Sequence, residues 1–164
     1  VPHLLDRQVV QLFERYNVLS NNELHARYEI MLEEYEKQIF LEGKTMIYMT
    51  EREIIPAVNQ HISQLSDTVL KLRSISQGQE GSQMQRLTAL VQQTEEVEQR
   101  LADLKSVVEG CKPQEFHLEG AKFCRDEIAT RMEALRESCD ALEKIVPEKV
   151  WPMPDYSKLL FSVE

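Results

Sequence analysis

The residues in this sequence that could bind a metal ion are four histidines, three cysteines and many carboxylates. Paired metal ions inside helical bundles are held by Glu-x-x-His pairs, because that spacing turns both ligands toward the core. No histidine here has a glutamate three positions before it. The pairs found at that spacing are Asn22 with His25, Val58 with His61 and Gln114 with His117. We therefore expect no paired-metal site in this chain.

Cys111, His117 and Cys124 come closest to a zinc-binding set, but their spacings of six and seven residues match no common zinc finger or knuckle. Cys124 and Cys139 also fall on the apolar stripe of a predicted helix, where small buried side chains are expected. The three cysteines show no Cys-x-x-Cys pattern and cannot all pair within one molecule. These features favour free thiols in a reducing cytoplasm over a secreted disulfide framework.

Other kinds of chemistry also lack a recognisable signature. Phosphate-binding loops use closely spaced glycines, whereas the five glycines here stand apart. Nucleophilic catalysis needs a serine or cysteine beside a histidine and an acid, and no spacing in the sequence marks such a group. The net charge of -9 opposes binding to nucleic acid and to anionic membranes. We expect no catalytic, cofactor-binding or metal-binding residues in this chain.

The composition favours helices, since glycine, proline and aromatic residues are scarce while 42% of the residues are hydrophobic. It predicts an all-α fold, an elongated antiparallel bundle of long helices that forms a single domain over residues 1–164. The expected parts are a short helical lead-in (1–19), a long kinked helix (20–76), two further bundle helices (82–146) and a docking tail (147–164).

Local signals place the ends of the first two helices. Asp6 is a suitable N-cap for the lead-in helix, which is expected to end near Asn17. Ser20 and Glu23 form an S-x-x-E capping box at the start of the long helix. Pro56 lies inside that helix, where its missing amide removes a hydrogen bond and predicts a kink or a break.

The two bundle helices carry apolar stripes with steps of three and four residues, the spacing of antiparallel helix packing. The stripe of the first consists of Leu87, Leu90, Thr94, Val97, Leu101, Leu104 and Val108. The stripe of the second consists of Ala121, Cys124, Ile128, Met132, Leu135, Cys139, Leu142 and Val146. Both stripes are expected to lie in the core.

The long helix carries an apolar stripe at steps of three and four residues, which consists of Leu24, Tyr28, Met31, Tyr35 and Ile39. Before Pro56 it also has consecutive apolar residues at 30–32, 39–41 and 46–49, so more than one of its faces is apolar and burial on two sides is expected. The tail after Pro147 combines prolines with many large apolar side chains and needs a surface on which to dock. The residues expected to make interactions are Phe40 and Tyr48 in the long helix, and Trp151, Tyr156, Leu160 and Phe161 in the tail.

Two stretches carry a recognisable pattern: residues 20–56, and the end of the chain from Met132–Arg136 through Trp151–Phe161. Both resemble type III glutamine synthetase. Residues 20–56 read SNNELHARYEIMLEEYEKQIFLEGKTMIYMTEREIIP and contain the E-L-x-x-R-Y-E-I start of that family's helical extension. Glu53–Val58 matches its E-I-x-P-A-V segment, and Trp151–Phe161 matches its W-P-x-P-x-Y-x-x-L-L-F end. The likeness runs in order along nearly the whole chain, although residues 40–44 depart from the family pattern.

The resemblance implies an enzyme that makes glutamine from glutamate, ammonia and ATP with Mg²⁺ or Mn²⁺, in large homo-oligomers of stacked hexameric rings. The family's catalytic residues belong to a catalytic body, and none of them matches a position in this chain. We therefore expect a non-catalytic C-terminal segment that contacts the catalytic body and neighbouring subunits. The start at Val1-Pro2 without a methionine fits part of a longer polypeptide.

A different class of function is an independent helical-bundle module that acts in interactions or as a scaffold, which the composition alone favours. The W-P-x-P end distinguishes the two hypotheses, since a helical spacer has no use for it. A standalone helical enzyme is a third hypothesis, which the missing ligand motifs oppose.

Overall fold

The computed structural model describes residues 3–75, 81–111, 118–154 and 160. Every regular element in these ranges is helical, which confirms the predicted all-α class. The α-helices are α1 (Arg7–Arg15), α2 (Asn21–Met49), α3 (Ile55–Ile75), α4 (Gly81–Gly110), α5 (Leu118–Phe123) and α6 (Thr130–Glu143), and π-helical segments occupy Thr50–Ile54 and Cys124–Ala129. The chain divides into two compact units: unit 1 comprises Val1–Lys44 and Ser106–Thr130, and unit 2 comprises Thr45–Lys105 and Arg131–Glu164.

The first helix begins where the sequence places its N-cap. Asp6 has an extended backbone (φ -61°, ψ 138°), and its carbonyl accepts hydrogen bonds from the amides of Val9 and Val10. The Asp6 carboxylate does not cap α1 and lies instead 3.0 Å from Nδ1 of His3. The start of α1 is therefore set by the backbone turn at Asp6 rather than by a side-chain cap.

The end of α1 is a Schellman motif. Asn17 has a φ of 52°, a left-handed conformation that asparagine tolerates better than most other side chains. The amide of Asn17 donates to the carbonyl of Glu14 at 3.1 Å, and the amide of Val18 donates to the carbonyl of Phe13 at 3.0 Å. These bonds satisfy the last carbonyls of the helix and return the chain at Val18 toward Phe13.

The predicted capping box at the start of α2 is present. The Glu23 carboxylate accepts hydrogen bonds from the Ser20 amide at 2.7 Å and from the Ser20 hydroxyl at 2.8 Å. The Glu23 amide in turn donates to the Ser20 hydroxyl oxygen at 3.4 Å. The bond from the Ser20 amide, followed by the bond from its hydroxyl, lowers the pKa of the Glu23 carboxyl.

We expect the stability from this capping box to depend on pH. Because the pKa of Glu23 is lower in the folded chain than its ordinary value of 4.5, its contribution is complete above that value and is lost as the pH falls through the folded value. Glu23→Gln should therefore lower the melting temperature at about pH 7 and have less effect at about pH 3.

Thermal unfolding followed by circular dichroism at the two pH values would measure this difference. Glu29→Gln, which changes an exposed carboxylate of the same helix, serves as the control. An equal shift of the melting temperature for Glu23→Gln at both pH values would contradict the assignment.

The helical path continues through Pro56, so the chain does not break there. α2 is followed directly by the π-helical segment Thr50–Ile54, in which the amide of Ile55 donates to the carbonyl of Thr50, five residues back rather than four. Pro56 then lies in the first turn of α3, directly after the π-helical segment, and because it has no amide it donates no backbone hydrogen bond in this continuous helical path. The sequence did not predict the π-helical segment, and the kink at Pro56 stays a prediction.

Within unit 2, α3 and α4 run antiparallel. Nζ of Lys105, near the end of α4, donates to the carboxylate of Glu51 at 2.6 Å. The two residues are equally distant along the chain from residue 78, the middle of the segment between the helices. Consecutive helices that meet at their far ends lie side by side in opposite directions.

Burial confirms both predicted stripes. The buried residues of the α4 stripe are Leu90, Thr94, Val97, Leu101, Leu104 and Val108, while Leu87 is half-buried. The buried residues of the next stripe are Ala121, Cys124, Ile128, Leu135, Cys139, Leu142 and Val146, while Met132 is half-buried. That second stripe was predicted on one regular helix, whereas a π-helical segment separates α5 from α6.

Three buried hydroxyl side chains donate hydrogen bonds to backbone carbonyls of the preceding helical turn. The hydroxyl donates to a carbonyl one turn earlier in each case: Thr50 to Met46 at 2.8 Å, Thr94 to Leu90 at 2.7 Å and Ser138 to Leu135 at 2.8 Å. A hydroxyl bonded in this way can be buried without leaving its donor unsatisfied.

No helix in the described ranges is long and apolar enough to cross a membrane.

Candidate interaction surface

Cys111 and Cys124 lie near each other and near Glu36, but the metal-binding side chains noted in the sequence form no metal site in the part of the chain that the structure describes. Those ranges contain no group of three or more histidine, cysteine, aspartate or glutamate side chains placed to hold a metal ion. His117 lies outside the described residues. Cys124 and Cys139 are buried, as expected, and Cys111 is half-buried; all three are free thiols.

Burial raises the pKa of all three thiols. Desolvation raises the pKa of Cys139 to about 11, against a hydrogen bond with Thr50 that lowers it. Desolvation also raises the pKa of Cys124 to about 11, with smaller contributions from Cys111 and Glu36. The pKa of Cys111 is raised by desolvation and then by Glu36. At neutral pH these side chains are thiols rather than the reactive thiolates.

We expect the cysteines to differ in their reactivity toward iodoacetamide at about pH 7.5. Cys111 should be alkylated first because it is partly exposed, whereas Cys124 and Cys139 should react only after unfolding. Mass spectrometry of peptides after timed quenching would measure each rate, and labelling in urea would give the intrinsic reactivity of each thiol. Alkylation of Cys139 in the folded chain as fast as Cys111 would contradict the burial.

Glu36 is a buried carboxylate of unit 1, with 9% of its surface exposed. It lies against α5, where a Cβ added to Gly120 would stand 2.8 Å from both Glu36 carboxylate oxygens. Glycine at position 120 therefore leaves the space that the carboxylate occupies. Cys111 and Cys124 are close enough for the charge of Glu36 to raise their pKa values.

The sequence contained a signal for Glu36 that the predicted stripe did not use. Glu36 follows the buried Leu32 by four residues and precedes the buried Gly43 by seven, so the three share one face of α2. The predicted stripe instead passed through Met31 and Tyr35, which are 46% and 38% exposed. The residue type alone does not distinguish a buried glutamate from the exposed glutamates beside it in the sequence.

The expected burial of α2 on two sides is not found among the described residues. Leu24 and Leu32 are buried, but Ile30 is 52% exposed and Leu41 is 60% exposed. Burial of the remaining apolar positions requires atoms that the described part of this chain does not supply. α2 therefore presents large apolar side chains to its surroundings.

The interaction residues predicted in the long helix lie in different settings. Phe40 is half-buried, and the ammonium group of Lys44 stands 4.4 Å from the centre of its ring, a cation–π contact. Tyr48 is 59% exposed. Pro56, predicted as a structural residue, is exposed. Tyr48 is thus available for a contact outside this chain, and Phe40 is available in part.

The predicted tail contacts are described only in part. Trp151 is half-buried, and its amide donates to the carbonyl of Pro147 at 3.1 Å. Leu160 is 72% exposed. Tyr156 and Phe161 lie outside the described residues. Docking of the tail in a groove stays a prediction.

α1 presents an apolar side that the described residues of this chain cover only in part, since Val9 and Phe13 are half-buried. Val9, Leu12, Phe13 and Tyr16 recur at the spacing that places residues on one side of a helix. No residue of α1 is buried, and Leu12, Tyr16 and Val18 are 55%, 67% and 59% exposed. An apolar cleft of about 280 Å³ is lined by Leu12, Phe13, Tyr16 and Val18. The term α1 face is used for the five residues Val9, Leu12, Phe13, Tyr16 and Val18.

Comparison with known proteins finds similarity between this chain and glutamine synthetases. Residues 1–73, which include α1, α2 and most of α3, match the family model described as the glutamine synthetase C-terminal domain. The match covers less than half of the chain. The α1 face and the exposed apolar residues of α2 lie within the matched residues.

Similarity to glutamine synthetases extends beyond residue 73. The chain is 26% identical over 164 residues to a glutamine synthetase of Butyrivibrio fibrisolvens, which covers 99% of this chain and 23% of the relative. It is 27% identical over 157 residues to a type-3 glutamine synthetase of Dictyostelium discoideum, covering 93% of this chain and 21% of the relative. A glutamine synthetase of Bacteroides fragilis (strain YCH46) is 22% identical over 167 residues, covering 98% and 23%. The chain spans less than a quarter of the length of these curated relatives.

Proposed function

We propose that this chain is the non-catalytic C-terminal segment of a type III glutamine synthetase, and that it supports the catalytic body or the contacts between subunits. The observation that carries the proposal is the extent of the similarity. It covers nearly all of this chain but only 21–23% of each relative. A segment of that kind has to meet the much larger remainder of the polypeptide.

The exposed apolar side chains support this role. Ile30, Leu41 and Tyr48 of α2 are more than half exposed, and so are Leu12, Tyr16 and Val18 of the α1 face. The cleft of the α1 face is contiguous apolar surface, which is typical of surfaces that contact another part of a protein or another subunit. A helical spacer would gain nothing from this surface, whereas an independent interaction module could also use it, so the extent of the similarity is what favours the glutamine synthetase segment.

The whole protein is proposed to be a cytoplasmic homo-oligomer that makes glutamine from glutamate, ammonia and ATP, with Mg²⁺ or Mn²⁺ held by its catalytic body. In this proposal the present chain contributes contacts rather than catalytic groups. The contacts are assigned to the α1 face, to Phe40 and Tyr48, and to the tail that carries Trp151 and Leu160.

The test compares the isolated chain with the whole protein. We expect the purified 164-residue chain to form no glutamine above a blank when given glutamate, ammonia, ATP and Mg²⁺ or Mn²⁺. We expect the parent protein without this segment to show a smaller oligomer by multi-angle light scattering, or a lower melting temperature, than the complete protein.

Two results would overturn the proposal. Glutamine formation by the isolated chain would show that the segment is catalytic. A shortened parent protein with unchanged oligomer size, melting temperature and activity would show that the segment does not support the enzyme.

A further inference from the structure

We propose that the α1 face is the docking surface for the polypeptide that precedes this segment in the parent protein, and that its cleft receives large apolar side chains of that polypeptide. This inference rests on the proposed function, because it requires that the chain be part of a longer protein. It adds which polypeptide fills the α1 face and the chemical character of that contact.

The first argument is that α1 is amphipathic and that the described residues of this chain leave much of its apolar side exposed. Its apolar residues lie on one side, yet no residue of α1 is buried. Leu12 and Tyr16 keep 55% and 67% of their surface exposed. A short helix is marginally stable by itself, and most helices of its length depend on packing of the apolar side. α1 therefore has a side whose burial the described part of this chain leaves incomplete.

The second argument is that the cleft is built on a fixed backbone. The Schellman bonds at the end of α1 hold Val18 next to Phe13, and the capping box at Ser20 begins α2 two residues later. The walls of the cleft are thereby held in place before a partner arrives. Such preorganisation reduces the entropy lost on docking.

The third argument concerns the size and lining of the cleft. Its volume of about 280 Å³ is at or below the lower end of the ~300–1,000 Å³ typical of small-molecule sites, and its lining residues are Leu12, Phe13, Tyr16 and Val18. Apart from the Tyr16 hydroxyl, these side chains offer no hydrogen-bonding group that would orient a polar ligand. The cleft therefore suits apolar side chains of a protein segment.

The occupant follows from the length of polypeptide outside this chain. More than three quarters of each matched relative lies outside the matched region, and the matched family is named for the C-terminal domain. Most of the remaining polypeptide therefore precedes α1, the first helix of the segment. A covalently attached partner has a high effective concentration at a nearby surface, so it fills the α1 face in preference to a second copy of the chain.

Photo-crosslinking in the complete parent protein tests the inference. Tyr16→p-benzoylphenylalanine places a probe in the cleft, and Leu70→p-benzoylphenylalanine places a matched probe at a position of unit 2 that is 61% exposed. After irradiation, mass spectrometry would identify the crosslinked peptides. We expect the probe at position 16 to crosslink within the same polypeptide, to a residue upstream of this segment and next to an apolar side chain, at a yield at least several-fold above that of the control.

The alternative outcomes are distinct. A crosslink from position 16 to another copy of this segment would overturn the inference in favour of self-association. The absence of a crosslink, or a yield equal to that of position 70, would show that the α1 face is not a docking surface. If removal of the segment still reduces oligomer size or stability in either case, the proposed function stands while this inference fails.

Discussion

Leu104→Ala is expected to reduce the free energy of unfolding by about 2–5 kcal/mol, the largest single effect among the substitutions considered. Leu104 is 0% exposed and belongs to the buried stripe of α4 in unit 2. Alanine removes the buried methyl groups and leaves a cavity, and helices that share one narrow core can close such a cavity only in part. The helix itself is not weakened, because alanine favours helix at least as well as leucine.

The matched control is Leu70→Ala. Leu70 is in α3 of the same unit, and it is 61% exposed. The same chemical change at this position should alter stability by no more than about 0.5 kcal/mol. Urea unfolding followed by circular dichroism would measure both variants, with the slope against urea concentration checked for each. Equal losses at the two positions would show that α4 does not bury its predicted stripe.

Gly120→Ala should destabilise unit 1, and the same substitution should become stabilising when Glu36 is also replaced by alanine. In the native sequence the added Cβ would stand 2.8 Å from the carboxylate oxygens of Glu36 and 2.9 Å from its carboxyl carbon. Glu36 is buried, so its carboxylate has little room to move away. Overpacking of this kind costs about 1–3 kcal/mol, which exceeds the ~1 kcal/mol that alanine contributes to a helix over glycine.

In the Glu36→Ala background the obstruction is gone, and the helix-forming preference of alanine remains. Gly120→Ala should then increase stability by up to ~1 kcal/mol. The double-mutant cycle would thus show a change of sign, with a coupling energy of about 1–3 kcal/mol between the two positions. The reference substitution is Gly110→Ala, because a Cβ at position 110 meets nothing within 4 Å. A Gly120→Ala effect that is the same in both backgrounds would show that Glu36 does not lie against α5.

The Leu104→Ala prediction rests on a pattern in the sequence, whereas the Gly120→Ala prediction rests on a contact that only the structure shows. Leu104 belongs to a stripe that recurs every three or four residues, and such spacing identifies the core side of a helix in the sequence alone. The Glu36–Gly120 approach joins residues of α2 and α5 that are far apart in the chain. No local pattern specifies which glutamate of a helix meets which glycine of another.

Helix limits were predictable where a side chain or a backbone conformation sets them locally. The Ser20–Glu23 capping box marks the start of α2, and Asn17 supplies the left-handed residue that ends α1. Pro56 signalled a disturbance of the long helix. The sequence did not predict that Pro56 lies in the first turn of α3, after the π-helical segment Thr50–Ile54. A π-helical turn depends on how the neighbouring side chains pack, which a local sequence pattern does not specify.

The sequence by itself determined that this chain is helical, where its α4 and α6 stripes lie, and which family it resembles. These features depend on short-range spacing or on motifs of a few residues, which a single sequence records in full. Only the tertiary structure decided that Glu36 is buried and that the described residues leave Ile30, Leu41 and much of the α1 face exposed. Burial is a property of what surrounds a side chain, and an apolar residue looks the same in the sequence whether its partner lies in this chain or elsewhere.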